Sequence, residues 1–266
     1  LVNQGGWEEW GAGAGANTAA NPAYGPGNSI DINGAADLVH QYSGYTSGKW
    51  EYSCRQYVPT GLTAKSYFIL LSKYDSLAAS YIWAVQVGFN PTSSMVEADA
   101  GGAGAGATTP ILYDQWVDID VVIDLTADWV QFYYGGVLLD DPAVANHPTL
   151  GGGWSWTGGP FGASGGPLNI AAVDLYANAS VASVFYDEIS LVEDTTWRDD
   201  FDSYLAGSQV VKQGGWEEWG PGAGALVSST QSYGPGNSID INGPSDLIHQ
   251  YSGYTTGKWE YSCMQY

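Results

Sequence analysis

Two tryptophans three residues apart, Trp7 and Trp10, enclose Glu8 and Glu9, and the same four residues return 209 positions later as Trp216 to Trp219. An indole face stacks on the C–H face of a pyranose ring, so this spacing is one way to hold a carbohydrate. An indole also buries a large apolar area, so the same residues can plug the end of a β domain. In an extended segment, positions i and i+3 point to opposite faces. Only one ring of the pair can then serve as a platform. A glycine-rich excursion at 142–167 supplies a second candidate pair for sugar stacking, Trp154 and Trp156.

Carboxylates are the next residues with chemistry to offer. Asp118, Asp120 and Asp124 share one face of QWVDIDVVIDL, residues 115–125. Carboxylates about 5–9 Å apart can cleave a glycosidic bond if one of them is a general acid. A stripe of aspartates is also what a solvated sheet face looks like, and the rest of the chain fits that reading. It has no nucleophile elbow and no phosphate loop, and its histidines His40, His147 and His249 are dispersed. His40 and His249 lie beside aromatic residues and read as hydrogen-bonded packing residues. Catalysis has no candidate, and the chain is expected not to be an enzyme.

Lys and Arg number 7 against 28 Asp and Glu, for a formal charge of −21. Phosphate backbones are bound by cationic side chains, so nucleic acid is excluded as a partner, and an anionic membrane surface with it. No apolar run approaches the ~20 residues of a spanning helix, so membrane insertion is not expected. The acidic excess instead suits calcium, a hard cation with oxygen ligands. With 13% charged residues and abundant Gly, Tyr and Trp, the composition fits a secreted β protein, extracellular or on the cell surface. Cys54 and Cys263 are equivalent positions, one per repeat, so neither has an intradomain partner. Cys54 shares the more apolar alternate face of KWEYSCRQY with Trp50 and Tyr52 and is expected as a buried thiol.

These residues must be positioned by strands, because short apolar runs bounded by Gly, Pro, Asn and Asp recur along the whole chain and no helical pattern appears. The clearest runs are 28–32, 37–42, 49–58, 66–74, 80–89, 94–98, 115–125, 129–135, 137–140, 168–177 and 183–193. With no helix to cover a sheet, the fold class is all-β, a two-sheet antiparallel sandwich. Val117, Ile119, Val121, Ile123 and Leu125 fall on the face opposite the aspartates and are expected in its core. Gly135-Gly136 supplies the positive φ of a two-residue hairpin turn. GAGAGA at 11–16 and GGAGAGA at 101–107 read as flexible loops.

The run W-V-x-I-x-V-x-I-D at 116–124, followed by Y-G-G-V-L-L at 134–139, resembles the signature hairpin of laminin-G-like, concanavalin A-like jelly rolls. FYDEISLVE at 185–193 and DDFDSYLAGS at 199–208 look like the last and first strands of such domains in bacterial secreted surface proteins, where they occur in tandem. The resemblance implies a jelly roll and says little of function. Hydrolases of this family carry a Glu-x-Asp-x-x-Glu strand. DIDVVID has no glutamate, and this departure speaks against catalysis. First and last strands of such domains lie side by side and often share a structural calcium. That implies Asp187, Glu188, Asp199, Asp200 and Asp202 as ligands, with a solvated acidic edge as the alternative.

At the 209-residue offset, 42 of 57 paired positions are identical, too many for anything but a duplicated domain. Residues 1–194 read as one jelly-roll repeat lacking its first strand, and 195–266 as the N-terminal third of the next. Either the chain is a window of a tandem array, or neighbouring copies complete its ends. Both describe a non-catalytic structural repeat of an extracellular filament, stalk or surface layer, whose partners are copies of itself joined head to tail. Trp197, Phe201, Tyr204, Leu205, Trp216 and Trp219 are the expected assembly residues. The alternative is a lectin-like adhesive module whose partner is a polysaccharide, and a groove lined by exposed aromatics beside carboxylates would favour it.

Overall fold

Alternation decides which side of each strand is buried. Val117, Ile119, Val121, Ile123 and Leu125 are at most 4% exposed, while Asp118, Asp120 and Asp124 face away from them. The computed structural model describes residues 2–10, 16–34, 36–77, 80–99, 105–139, 152–159, 166–178, 181–194, 199–219, 225–232, 236–243, 245–252, 261, 263 and 265. The chain forms two compact units, Leu1–Thr195 and Thr196–Tyr266.

Unit 1 begins with β1 (Trp7–Glu9), β2 (Asn17–Ala19), β3 (Ser29–Gly34), β4 (Asp37–Gln41) and β5 (Lys49–Tyr57). It continues with β6 (Ser66–Asp75), β7 (Ser80–Asn90), β8 (Met95–Asp99), β9 (Ala105–Pro110) and β10 (Trp116–Asp124). The last strands are β11 (Trp129–Tyr134), β12 (Val137–Leu138), β13 (Ala172–Ala177) and β14 (Val181–Glu193). No helix occurs among the described residues. Sheet I has the order β1-β4-β13-β6-β7-β8-β9, and sheet II the order β12-β11-β10-β5-β14-β3-β2. From β3 to β6 successive strands alternate between the sheets, the crossing pattern of a jelly roll. The fully buried side chains between the two sheets include Tyr52, Phe68, Phe89, Phe132, Tyr134 and Tyr186. Gly135 and Gly136 have φ of +56° and +76°, as the two-residue turn between β11 and β12 requires.

The structure corrects one expected loop and one expected strand. Residues 105–107 are not a loop but the start of edge strand β9, which pairs with β8 and buries Ala107. Pairing and burial there outweigh the weak strand preference of Gly and Ala. The described part of the expected opening strand at 197–209 is mostly turns, and only its end pairs, through the bridge of Gln209 to Leu226. Asp199 Oδ1 accepts from Phe201 N and Asp200 Oδ1 from Asp202 N, each at 3.0 Å, so the aspartates curl the backbone in the way Asx turns do. Residues 11–15, 101–104, His147 and Trp197 lie outside the described residues.

Unit 2 repeats the first strands of unit 1 as β15 (Trp216–Glu218), β16 (Leu226–Ser228), β17 (Ser238–Asp240) and β18 (Leu247–His249). β15 pairs with β18 and β16 with β17. Its small core is Val210, Trp216 and Val227, with Phe201, Tyr204, Ile239 and Leu247 packed against it.

Candidate carbohydrate-binding groove

The outward side chains of sheet II come into rows through register. β10 sets Asp118 opposite Arg55 and Asp120 opposite Ser53 on β5. On the other side of β5, β14 sets Asp187 opposite Arg55 and Ser190 opposite Ser53. A bulge between Asp187 and Ser190, with Glu188 at φ +50°, re-aims the Glu188 side chain beside these rows. Tyr24, from the loop before β3, closes one side of the resulting open groove.

The groove is ordered by its own contacts. The Arg55 guanidinium pairs with Asp118 at 2.6 Å and lies 3.9 Å from the centre of the Tyr24 ring. Tyr24 N donates to Asp187 Oδ2 at 2.8 Å, and the Tyr24 ring meets Trp116 edge to face. Burial raises the pKa of Asp120, and the like charges of Asp118 and Glu51 raise it further against the opposing pull of Arg55. The aspartate stripe is therefore more than a solvated face: Asp118 is paired with Arg55, Asp124 with Lys49 at 3.2 Å, and Asp120 is half-buried. Beneath it, Cys54 is the buried free thiol its alternation implied, with its pKa pushed up chiefly by burial.

The tryptophans fall on both sides of the fold. Trp7 turns inward, packs against the core and meets His40 edge to face at 5.2 Å. His40 Nε2 is 3.2 Å from Gly5 O, the packing role expected of it. Trp10 turns outward on sheet I, where it meets Tyr74 at 5.2 Å and Tyr81 at 4.7 Å, with Trp83 beyond at 5.0 Å from Tyr81. The i, i+3 parity thus separates the pair. Trp154 and Trp156 are not stacking platforms: they are 4% and 0% exposed. Their indole N–H groups donate inward to Ala84 O and Asn169 O, so the glycine-rich excursion anchors itself with both rings in the core.

A second acidic feature has no signature in the sequence. β13 pairs with β4 so that Asp174 and Asp37 share the outer face of sheet I. Asp174 is 3% exposed. Burial raises both carboxyls, and the neighbouring charge of Asp37 and a side-chain hydrogen bond with it raise Asp174 further.

The carboxylates expected to hold calcium lie in the two units. In unit 1, Asp187 accepts from Tyr24 N and Glu188 N. In unit 2, Asp199 accepts from Tyr204 and Trp216, and Asp202 from Asn237 N. Among the described residues, no group of three or more His, Cys, Asp or Glu is placed to share a metal ion. Of the expected assembly residues, Phe201, Tyr204 and Trp216 pack together, whereas Leu205 and Trp219 are 78% and 70% exposed.

No protein-family model matches the chain, and no curated protein matches it. Among solved structures it is similar to a sialidase at 9% identity and a TM-score of 0.48, covering 71% of this chain and 17% of that one. It is also similar to Trypanosoma rangeli sialidase, at 14% identity and a TM-score of 0.44 over 70% of this chain and 30% of that one. A third is a carbohydrate-binding module from Bacillus subtilis, at 13% identity and a TM-score of 0.42 over 72% and 98% of the two chains. The chain thus spans less than a third of either sialidase, and the likeness in all three concerns the fold.

Proposed function

We propose that residues 1–195 are a non-catalytic carbohydrate-binding β-sandwich of the laminin-G-like, concanavalin A-like kind, secreted to the cell exterior. The ligand is a neutral polysaccharide held in the groove across β10, β5 and β14. The observation that carries this reading is the convergence of one exposed ring, Tyr24, with the paired guanidinium of Arg55, the hydroxyls of Ser53 and Ser190, and the carboxylates of Asp120 and Glu188. Sugar hydroxyls are donors, and this groove is rich in acceptors. Its carboxylates repel sulfate and uronate groups, and its one cation is already engaged. A single ring with a few hydrogen bonds binds weakly, and repetition of the module multiplies weak sites into adhesion.

Affinity electrophoresis of the intact chain through gels containing neutral polysaccharides tests the proposal. A hydrogen bond to a charged group contributes about 1.5–3 kcal/mol, so Asp120→Ala should weaken retardation about tenfold or more, and Tyr24→Ala, which removes the one exposed ring of the groove, should weaken it as well. Trp83→Ala, on the other sheet, should leave it unchanged. Loss with Trp83→Ala alone would move the site to the aromatic cluster around Trp10. Release of reducing ends from a retained polymer would contradict the non-catalytic reading.

A further inference from the structure

The outer face of sheet II continues past the groove. Register sets three rows of side chains across β10, β5 and β14. Asp120, Ser53 and Ser190 form the first, and Asp118, Arg55 and Asp187 the second. The third row, two residues further along β5, is wholly aromatic: Trp116, Tyr57 and Phe185. Strand parity turns its rings outward, since the adjoining Val117, Val58 and Tyr186 are buried between the sheets. All three rings are half-buried, and they pack on one another rather than on the core.

The rings hold one another upright. Trp116 and Tyr57 lie 5.7 Å apart with planes inclined by 59°, and Tyr57 and Phe185 lie 6.2 Å apart at 71°. Trp116 also meets Tyr24, at 6.0 Å and 75°. Tyr24 is held in turn by the Arg55 guanidinium and lines the groove. The aromatic row and the polar groove are thus continuous, with Tyr24 as their common wall. Cross-strand aromatic pairs add to the stability of a sheet. A contiguous row of them facing solvent beside a polar cleft also offers apolar surface to a ligand.

We propose that this row is a second subsite of the groove. The Trp116 indole stacks there on the C–H face of one sugar, while another sugar of the same chain sits over Ser53 and Asp120. Ser53 and Tyr57 are four residues apart on one strand, roughly 13 Å. A single pyranose ring does not span that distance, whereas linked sugars do. The ligand is therefore a run of neutral sugars recognised along its length. The rows divide the work: the first two exchange hydrogen bonds with hydroxyls, and the third takes an apolar ring face. This inference rests on the carbohydrate reading of the groove and adds to it the extent of the ligand.

The test is titration of the intact chain with cello-, xylo-, laminari- and manno-oligosaccharides, from disaccharide to hexasaccharide, read by calorimetry and by amide and indole NMR signals. In a series that binds, affinity should climb with length. The disaccharide should shift Ser53, Asp120 and Ser190, and the hexasaccharide should shift the Trp116 indole as well. Trp116→Ala should lower hexasaccharide affinity about tenfold and leave that of the disaccharide unchanged, which also reports that the variant is folded. Asp120→Ala should weaken both. A disaccharide bound as tightly as the hexasaccharide, a Trp116 indole unmoved by bound hexasaccharide, or Trp116→Ala without effect would overturn the second subsite and leave the groove standing. Equal loss at both lengths in Trp116→Ala would overturn it too, because Trp116 would then act through Tyr24 and not through a sugar of its own. If no oligosaccharide of any series binds, the groove reading fails and this inference with it.

Discussion

Asp174 is the residue whose burial most clearly costs stability at neutral pH. Its carboxyl and that of Asp37 hold protons more tightly in the folded chain than in the unfolded one. Below the ordinary carboxylate range both states are protonated and the pair costs nothing. As pH rises from about 4, the unfolded chain releases protons first, so stability falls until the native pair releases its own. The fall is at most about 1.4 kcal/mol per pH unit for each proton that only the native state retains. Asp174→Asn should raise the unfolding temperature at pH 7, more than at pH 4, and flatten the pH dependence. A lower unfolding temperature at pH 7 would contradict this account. Nothing in the sequence pairs Asp174 with Asp37, because their proximity depends on the register of strands 137 residues apart. By contrast, the separation of Trp7 from Trp10 follows from strand parity alone, and so does the burial of Cys54.

Among the elements, β10 was legible because its alternation is nearly complete: with Leu125 just beyond its end, five apolar positions face one way, while three aspartates and Val122 face the other. Ile119→Ala should destabilise the fold by about 2–5 kcal/mol, while Asp118→Ala, on the outer face, should change it by less than about 1 kcal/mol, as chemical denaturation would show. Gly135 has φ +56°, and a Cβ there would lie 3.3 Å from both Leu112 and Val117. Gly135→Ala should therefore cost about 1–2 kcal/mol or more. β1, β2 and β9 were illegible as strands, since three to six residues of mixed polarity form pairs only when a neighbouring edge is offered to them. The turns at 199–208 were misread because DDFDSYL alternates like a strand, while its aspartates bond locally to the backbone two residues on.

At the scale of the whole molecule, the groove could not be read from sequence, because it joins Tyr24, Ser53, Arg55, Asp120, Glu188 and Ser190 across three strands and a bulge. Only the charge balance was visible in advance, and it excludes polyanionic ligands. With a formal charge of −21 the chain should show no retardation by a sulfated or uronic polysaccharide at low salt, where electrostatic attraction is least screened. Retention that fades as salt rises would contradict that. The direct test of the central claim is chemical-shift mapping of the intact chain with a neutral oligosaccharide taken from whichever polymer retards it. The account predicts shifts at Tyr24, Ser53, Arg55, Asp120 and Ser190 on sheet II, with Trp10, Tyr81 and Trp83 unmoved. Shifts confined to those three aromatics, or none from any neutral oligosaccharide, would contradict it.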